Sequence, residues 1–305
     1  MEIHYQGTDI TDMVQVKSCI VHDTCGNRCD SMDIVFENAA GWYSWGPEED
    51  DQIIVSHDGY ESGIMYLNMI MPQEGKYRIL ATSLPCKARG KGYKSYINQT
   101  IGDIIHSCAA LSSMESQVFG LDANAVIPYI ERNNEGCPAF LDRLLTMEGA
   151  ALKCVNGKYT AIGIDYAQDM EPISTVALTA KQTGAQYTRN GMARKSLTIK
   201  TPYAEATAED TAVAEMHAAV KIHDIPALNN IQAGRWARGK LLNINRNCES
   251  VEIKSDFNPD YTAMIRINID GDTDATGEWL IDEVTHDLIN LQTTAKMKRC
   301  IRTIR

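Results

Sequence analysis

The sequence predicts a mainly β protein with a small α/β unit set between two β-rich regions. Three observations carry this. Residues 1–85 and most of 173–305 consist of short runs in which apolar and polar residues alternate, the period of a half-buried strand. Residues 96–165 instead contain apolar residues spaced three and four apart, one face of a helix. Turn dipeptides, Asp58-Gly59 and Asn156-Gly157, fall between apolar runs where hairpins need positive φ.

In the first region, VQVKSCIVHD and SMDIVFEN alternate. QIIVSHDGYESGIMYLNMIM reads as two apolar runs joined at His57-Asp58-Gly59, and KYRILATSLP ends the region at Pro85. KARGKGYKSY, residues 87–96, reads as a basic, glycine-containing loop. A helix is expected next, with Ile101, Ile104, Ile105 and Cys108 on one face, Thr100 as its cap and Asp103 in the first turn. A second helix runs through CPAFLDRLLTMEG, with Pro138 at its start, Gly149 as its left-handed stop, and Phe140, Leu141, Leu144, Leu145 and Glu148 in phase. AALKCVNGKYTAIG is a hairpin about Asn156-Gly157. Residues 173–201 are strand-like, and the alanine-rich AEATAEDTAVAEMHAAV is expected to be helical. Pro226 and Asn229-Asn230 interrupt it before a helix in IQAGRWARGKLLNIN, whose side is marked by Trp236, Leu241 and Ile244 and whose Gly234 and Gly239 argue against it. ESVEIKS, TAMIRINID, GEWLIDEVTHDL and TAKMKRCIRTI are strands, with Ile265, Ile267 and Ile269 in strict alternation.

The 305 residues suffice for two or three domains with real cores. At 44% hydrophobic and 23% charged, composition is that of a soluble globular protein, and no apolar run approaches a membrane span. The N-terminus is polar and acidic, unlike a signal peptide. Nine cysteines, several in apolar runs, fit folding in a reducing cytoplasm. A net charge of −11 argues against tight or sequence-specific nucleic-acid binding. The charge is uneven: Lys296, Lys298, Arg299, Arg302 and Arg305 crowd the last ten residues, either a solvated strand face or a contact with an acidic neighbour.

Several groups invite chemistry. Asp270, Asp272 and Asp274 in NIDGDTDATGEW alternate like the opening of a calcium loop. The sixth and twelfth positions are Ala275 and Ile281, where such a loop needs Gly and a bidentate Glu, so a polar turn between strands is expected. His22, Cys25 and Cys29 offer three zinc ligands with CxxxC spacing and no second pair, which favours a loop with incidental thiols. GKGYKS at 90–95 lacks phosphate-loop spacing. Glu48, Glu49, Asp50 and Asp51 read as a solvated acidic run. The seven histidines are dispersed, without GxSxG or HExxH. No catalytic, cofactor or metal-ligating residue is assigned.

In order along the chain, SMDIVFENAAGWYSWGP, DDQIIVSHDGYESGIMYL, KSYINQTIGDIIHSCA, CPAFLDRLLTMEGAALKCVNGKY, RWARGKLLNIN, GEWLIDEVTHDL and TTAKMKRC resemble successive segments of a known family. This is the tail or baseplate hub protein of contractile phage tails and related particles, the late control protein D group. The N-terminal hub part of type VI secretion spike proteins shares its architecture. His286 falls on the histidine of the family's closing strand pair. The chain departs from the family in having Asp50-Asp51 where Gly-Asp is frequent before the third strand, and in its alanine-rich 204–230. No spike, OB-fold or lysozyme domain follows the last strand pair, so these are expected as separate proteins.

The resemblance implies two tube-type β-barrel domains, 1–95 and 166–305, the second with extra helices, and an inserted α/β domain at 96–165. It implies a homotrimer whose six barrels meet the hexameric tail tube on one face and the trimeric spike on the other, with baseplate wedge or tape measure proteins as further partners. This is a symmetry adapter rather than an enzyme. It would be assembled in the bacterial cytoplasm into a phage tail or bacteriocin-like particle. The basic C-terminal strand is expected at an interface, and the acidic excess along the ring's channel. The rival reading is a tail-associated peptidoglycan hydrolase, which needs a carboxylate pair in a cleft; a metal-binding adhesion module is a third.

Overall fold

The structure, a computed structural model, describes residues 1–26, 28–37, 40–178 and 184–305. Asn27 of the HDTCGNRCD run, Asn38 and Ala39 of SMDIVFENAAGWYSWGP, and 179–183 of the strand-like 173–201 lie outside the described residues. The first part contains β1 (Glu2–Tyr5), β2 (Thr8–Asp9), β3 (Val16–Thr24), β4 (Ser31–Phe36), α1 (Ala40–Trp45), β5 (Gln52–His57), β6 (Tyr60–Glu61), β7 (Met65–Gln73) and β8 (Lys76–Thr82). The middle holds β9 (Gly92–Thr100), α2 (Ile101–Leu111), β10 (Glu115–Phe119), β11 (Val126–Glu135), α3 (Cys137–Met147), β12 (Ala150–Val155), β13 (Lys158–Gly163) and α4 (Ile164–Asp169). The last part contains β14 (Thr175–Leu178), β15 (Ala185–Arg189), β16 (Ser196–Lys200), β17 (Glu205–Glu209), β18 (Val220–Ile222), α5 (Asn230–Arg246), β19 (Glu249–Asp256), β20 (Arg266–Gly271), β21 (Gly277–Asp287) and β22 (Gln292–Arg299). The chain is mainly β with an α/β unit between two strand regions, as the alternating pattern predicts.

One 14-stranded sheet runs through both strand regions in the order β15-β19-β22-β21-β3-β4-β8-β7-β5-β1-β2, with β6, β14 and β20 attached beside this path. The path is open: among the described residues no pairing closes either region into a barrel. The seam is the antiparallel pair β21–β3, Glu283 opposite Thr24 through Asp287 opposite Ile20. Each side of the seam has its own apolar core. The first is built on Trp42, whose ring meets Tyr5 at 5.2 Å, Phe36 at 4.7 Å and Tyr77 at 5.7 Å. The second is built on Trp279, Ile267, Ile281 and Val284. The hairpin signals hold: Asp58 and Gly59, like Asn156 and Gly157, have positive φ and connect β5 to β6 and β12 to β13.

A third core is shared by the middle unit and the 197–242 segment. Three of the expected helices, α2, α3 and α5, form. The Thr100 side chain accepts from the Asp103 amide, and the four predicted apolar residues of α2 are buried. Pro138 sits in the first turn of α3, whose Phe140, Leu141, Leu144 and Leu145 are fully buried. Asn229 caps α5, its side chain accepting from the Gln232 amide, and the helix packs on α3 and on β16 and β17.

Four expectations are corrected. The alanine-rich stretch is not a helix: β17 occupies Glu205–Glu209, and β18 follows a turn segment. Glu205, Ala206, Thr207, Ala208 and Glu209 alternate between solvent and the core, and small alanines let α5 lie close on the sheet, so packing overrides propensity. The loop at 87–96 is largely a short 3-10 turn, Cys86–Arg89, followed by β9, because β11 offers a ladder from Gly92 onwards. TAMI at 262–265 and IRTI at 301–304 are not strands apart from a bridge between Ile304 and Asp210. The glycines of α5 do not weaken it. A Cβ on Gly239 would lie 2.1 Å from the Met147 carbonyl, so only glycine lets α5 cross the end of α3 this closely.

Candidate functional site: a buried charge junction

Three segments distant in sequence meet at Asp23, at the end of β3. Its Oδ1 accepts from Lys153 Nζ of β12 at 2.5 Å and from the Ala263 amide at 2.9 Å, and its Oδ2 accepts from the Thr262 hydroxyl. Lys153 also donates to the Thr24 carbonyl and to Asp30 Oδ2, both at 3.5 Å, while Asp30 Oδ1 accepts from the Thr24 amide at 2.8 Å. All three charged side chains are buried. Asp23 thus ties the first strand region to the α/β unit and to the loop ahead of β20.

The electrostatics follow from two carboxylates sharing one ammonium. Burial alone would lower the Lys153 pKa, but Asp23 and Asp30 reverse this and hold it above its ordinary value. Burial raises the Asp30 carboxyl to about 7, opposed by Lys153 and reinforced by Asp23. A small cavity of about 170 Å³ adjoins the cluster, walled in part by Tyr60, Ser62, Tyr261 and Thr262. The arrangement is a clamp: it fixes the relative positions of three segments, and each lost partner leaves a buried charge uncompensated.

His286, on the seam strand β21, lies beside this clamp. It is fully buried, with Nδ1 at 3.0 Å from Thr293 Oγ1 and Nε2 at 3.1 Å from the Tyr261 carbonyl, and its ring packs on Tyr60 at 4.5 Å. Burial lowers its pKa, against the Tyr261 bond and Asp23. It joins the two strand regions through packing.

The other residues singled out in the sequence are dispersed. Asp270 is the penultimate residue of β20 and the aspartates at 272 and 274 lie in the turn to β21, a polar hairpin tip as expected. Arg299 braces it, donating to the Asp274 carbonyl at 2.9 Å and the Thr276 carbonyl at 3.1 Å. His22 Nδ1 lies 2.9 Å from Thr285 Oγ1, while the Cys25 thiol faces the Asp282 carbonyl. Cys29 lines a different cavity, so the three do not share one centre. Among the described residues no group of three or more His, Cys, Asp or Glu side chains is arranged to hold a metal ion. GKGYKS runs into β9, where Lys94 bonds Ser107 at 2.5 Å.

The acidic run is not simply solvated. Asp50 takes positive φ and accepts from the Cys86 amide at 2.7 Å; Asp51 accepts from the Glu48 amide at 2.8 Å and from Tyr5 and Gln6 side chains. The basic C-terminus is largely paired within the chain. Lys298 meets Asp282 at 2.5 Å, Arg299 pairs with Glu249 and lies over Trp279, and Arg302 reaches Asp169 at 3.1 Å and also Glu278.

Sequence reasoning missed Asp23, Asp30 and Lys153. A signal was present in AALKCV, where one lysine interrupts an apolar strand whose first five residues are all buried. It missed Glu148 as well, read only as a residue in helical phase. Its buried carboxylate accepts from Arg235 at 2.9 Å and from Trp236 Nε1 at 2.7 Å, fastening α3 to α5.

The fold is that of phage tail proteins and of type VI secretion components built like them. A solved tail protein from Neisseria meningitidis MC58 superimposes with a TM-score of 0.74 at 12% identity, covering 98% of this chain and 95% of that one. A tail protein of prophage MuSo2 from Shewanella oneidensis gives 0.68 at 12% identity over 98% and 96%. An E. coli component of the type VI secretion system, described as structurally similar to the T4 tail proteins gp27 and gp5, gives 0.63 at 12% identity over 99% of this chain and 77% of that one. No protein-family model and no curated protein sequence matches the chain.

Proposed function

We propose that the chain is the structural hub of a contractile tail or tail-like particle, and that three copies form a ring between the hexameric tail tube and the trimeric spike. The observation that carries this reading is the near end-to-end agreement with solved tail proteins, at 98% of this chain and 95% of one of them. The presence of two strand regions, each with its own core on either side of the β21–β3 seam, supports a repeated unit counted twice per chain. In this reading 1–95 and 166–305 are the tube-type units and 96–165 the insertion, and six units from three chains match the tube while the threefold axis matches the spike. The role is geometric and uses no catalytic residue. A junction of buried charges that fixes segments against one another suits such a part. Assembly takes place in the bacterial cytoplasm, and wedge or tape measure proteins are further contacts. The acidic excess lines the channel.

The test is mass in solution, by light scattering, of the chain alone and mixed with its tube and spike proteins. A species of three times 33.8 kDa, or a ring by electron microscopy, is expected. A chain that stays monomeric in the presence of both partners overturns the reading. The C-terminal interface needs its own variant. Arg299 and Arg302 are committed to internal partners, so reversal there unsettles the fold first. Reversal at exposed Arg305 leaves the chain intact and is expected to weaken assembly; unchanged assembly removes the basic end from the interface.

A further inference from the structure

Arg132, on β11, is buried, and among the described residues no carboxylate pairs with it. Its Nε has no hydrogen-bond acceptor, and its NH1 donates to the Cys137 sulfur at 2.6 Å. A buried guanidinium remains charged and requires an anion nearby. Room is made for it deliberately: a Cβ on Gly92 would stand 2.5 Å from Arg132 NH2, which explains the glycine of the GKGYKS stretch. Among the described residues, the ionisable group that NH1 meets is a thiol.

Cys137 is the first residue of α3, where the helix amides favour negative charge. The Cys108 thiol, in the last turn of α2, is its neighbour. The groups facing the pair are Arg132 from β11, Ser112 capping α2, Tyr96 from β9, whose hydroxyl lies 3.4 Å from Cys108, and Tyr159 from β13. The Cys108 thiol, then Arg132 and Ser112, bring the Cys137 thiol down to about 6 against its burial. The thiols of Cys19, Cys25, Cys29, Cys86, Cys154, Cys248 and Cys300 are all pushed up, as is Cys108. A cleft of about 630 Å³ has Gly136 and Pro138, the residues flanking Cys137, in its wall, together with Ala139.

We propose that Cys137 is a thiolate, the counter-ion of the buried Arg132 guanidinium, and that with Cys108 it forms a redox-active pair that small organic disulfides close into a Cys108–Cys137 bridge. In the first step Cys137 Sγ⁻ attacks one sulfur of the reagent, the reagent's S–S bond breaks, and one thiolate leaves. Cys108 then attacks Cys137 Sγ, its proton passing to a departing thiolate, and the second reagent thiol is released. The two cysteines lose two electrons, and one disulfide becomes one thiol and one thiolate that takes its proton from water.

The test follows thiolate absorbance near 240 nm on the folded protein from about pH 5 to 9, then maps cysteines by mass spectrometry after treatment with bis(2-hydroxyethyl) disulfide. One thiolate titrating below about pH 7.5 is expected, lost in Cys137→Ser and kept in Cys154→Ser. In Arg132→Met it moves up by at least a tenfold change in acid constant. The bridged 108–137 peptide is the expected product. Should Arg132→Met fail to fold, wild type and Cys137→Ser still decide. A wild type with no inflection below pH 8, or a mixed disulfide on Cys86 with no 108–137 bridge, overturns the proposal.

Discussion

Lys153 carries its charge where water is nearly absent, and Asp23 and Asp30 compensate it. Removing the ammonium leaves two buried carboxylates with only amide and hydroxyl donors. Lys153→Met is therefore expected to cost about 3–5 kcal/mol in urea unfolding, the usual loss when one partner of a buried pair goes. A loss below about 1 kcal/mol would show that packing, not charge, holds the junction. The same cluster has a pH signature. Asp30 is raised to about 7 in the fold, against roughly 4 when unfolded. Between these values the native chain holds a proton that the unfolded chain has released. Stability from this group is present at low pH and falls as pH rises towards 7. Asp30→Asn is expected to flatten that fall, measured as unfolding free energy from pH 4 to 8; an unchanged slope would assign it elsewhere. His286 acts with the opposite sign. Its lowered pKa means the unfolded chain protonates first, so its contribution is lost as pH falls below about 6.5.

Among the elements, the crossing of α5 over the end of α3 is the most tightly specified contact. Glu148 anchors both Arg235 and Trp236 there, and Gly239 meets the Met147 carbonyl. Gly239→Ala should gain about 1 kcal/mol from helix propensity and lose more from the clash. A net destabilisation of about 1–3 kcal/mol with unchanged helix content is expected by thermal unfolding and circular dichroism. A stabilised variant would show that the helices slide apart freely. The alanine-rich stretch belongs to this scale as well: local propensity favoured helix, but Ala206 and Ala208 are the small side chains on which α5 rests.

For the whole molecule, the seam and the clamp couple what would otherwise be separate parts. The 14-stranded sheet crosses from one strand region to the other at β21–β3, and the third core draws on residues from Leu84 to Ile304. One cooperative calorimetric transition is expected, its van't Hoff enthalpy matching the measured enthalpy. Two resolved transitions would show that the strand regions unfold independently.

The sequence by itself determined the elements whose signals are local. The period of α2 and α3, the Thr100 cap, the Asn156-Gly157 turn and the alternation in β20 depend only on residues a few positions apart. It also pointed to a polar turn between two strands in NIDGDTDATGEW, since Ala275 and Ile281 cannot supply the Gly and bidentate Glu of a calcium loop. Only the tertiary structure decided that Ala206 and Ala208 lie in a strand, that GKGYKS runs into a strand whose Gly92 faces the guanidinium of a buried arginine, and that Lys296, Lys298, Arg299 and Arg302 are spent on Asp169, Glu249, Glu278, Asp282 and Glu283. It alone brought Asp23 to Lys153 across 130 positions. The reason is physical: periodicity records which face of an element is buried, whereas partners of a buried charge are chosen by how distant elements pack.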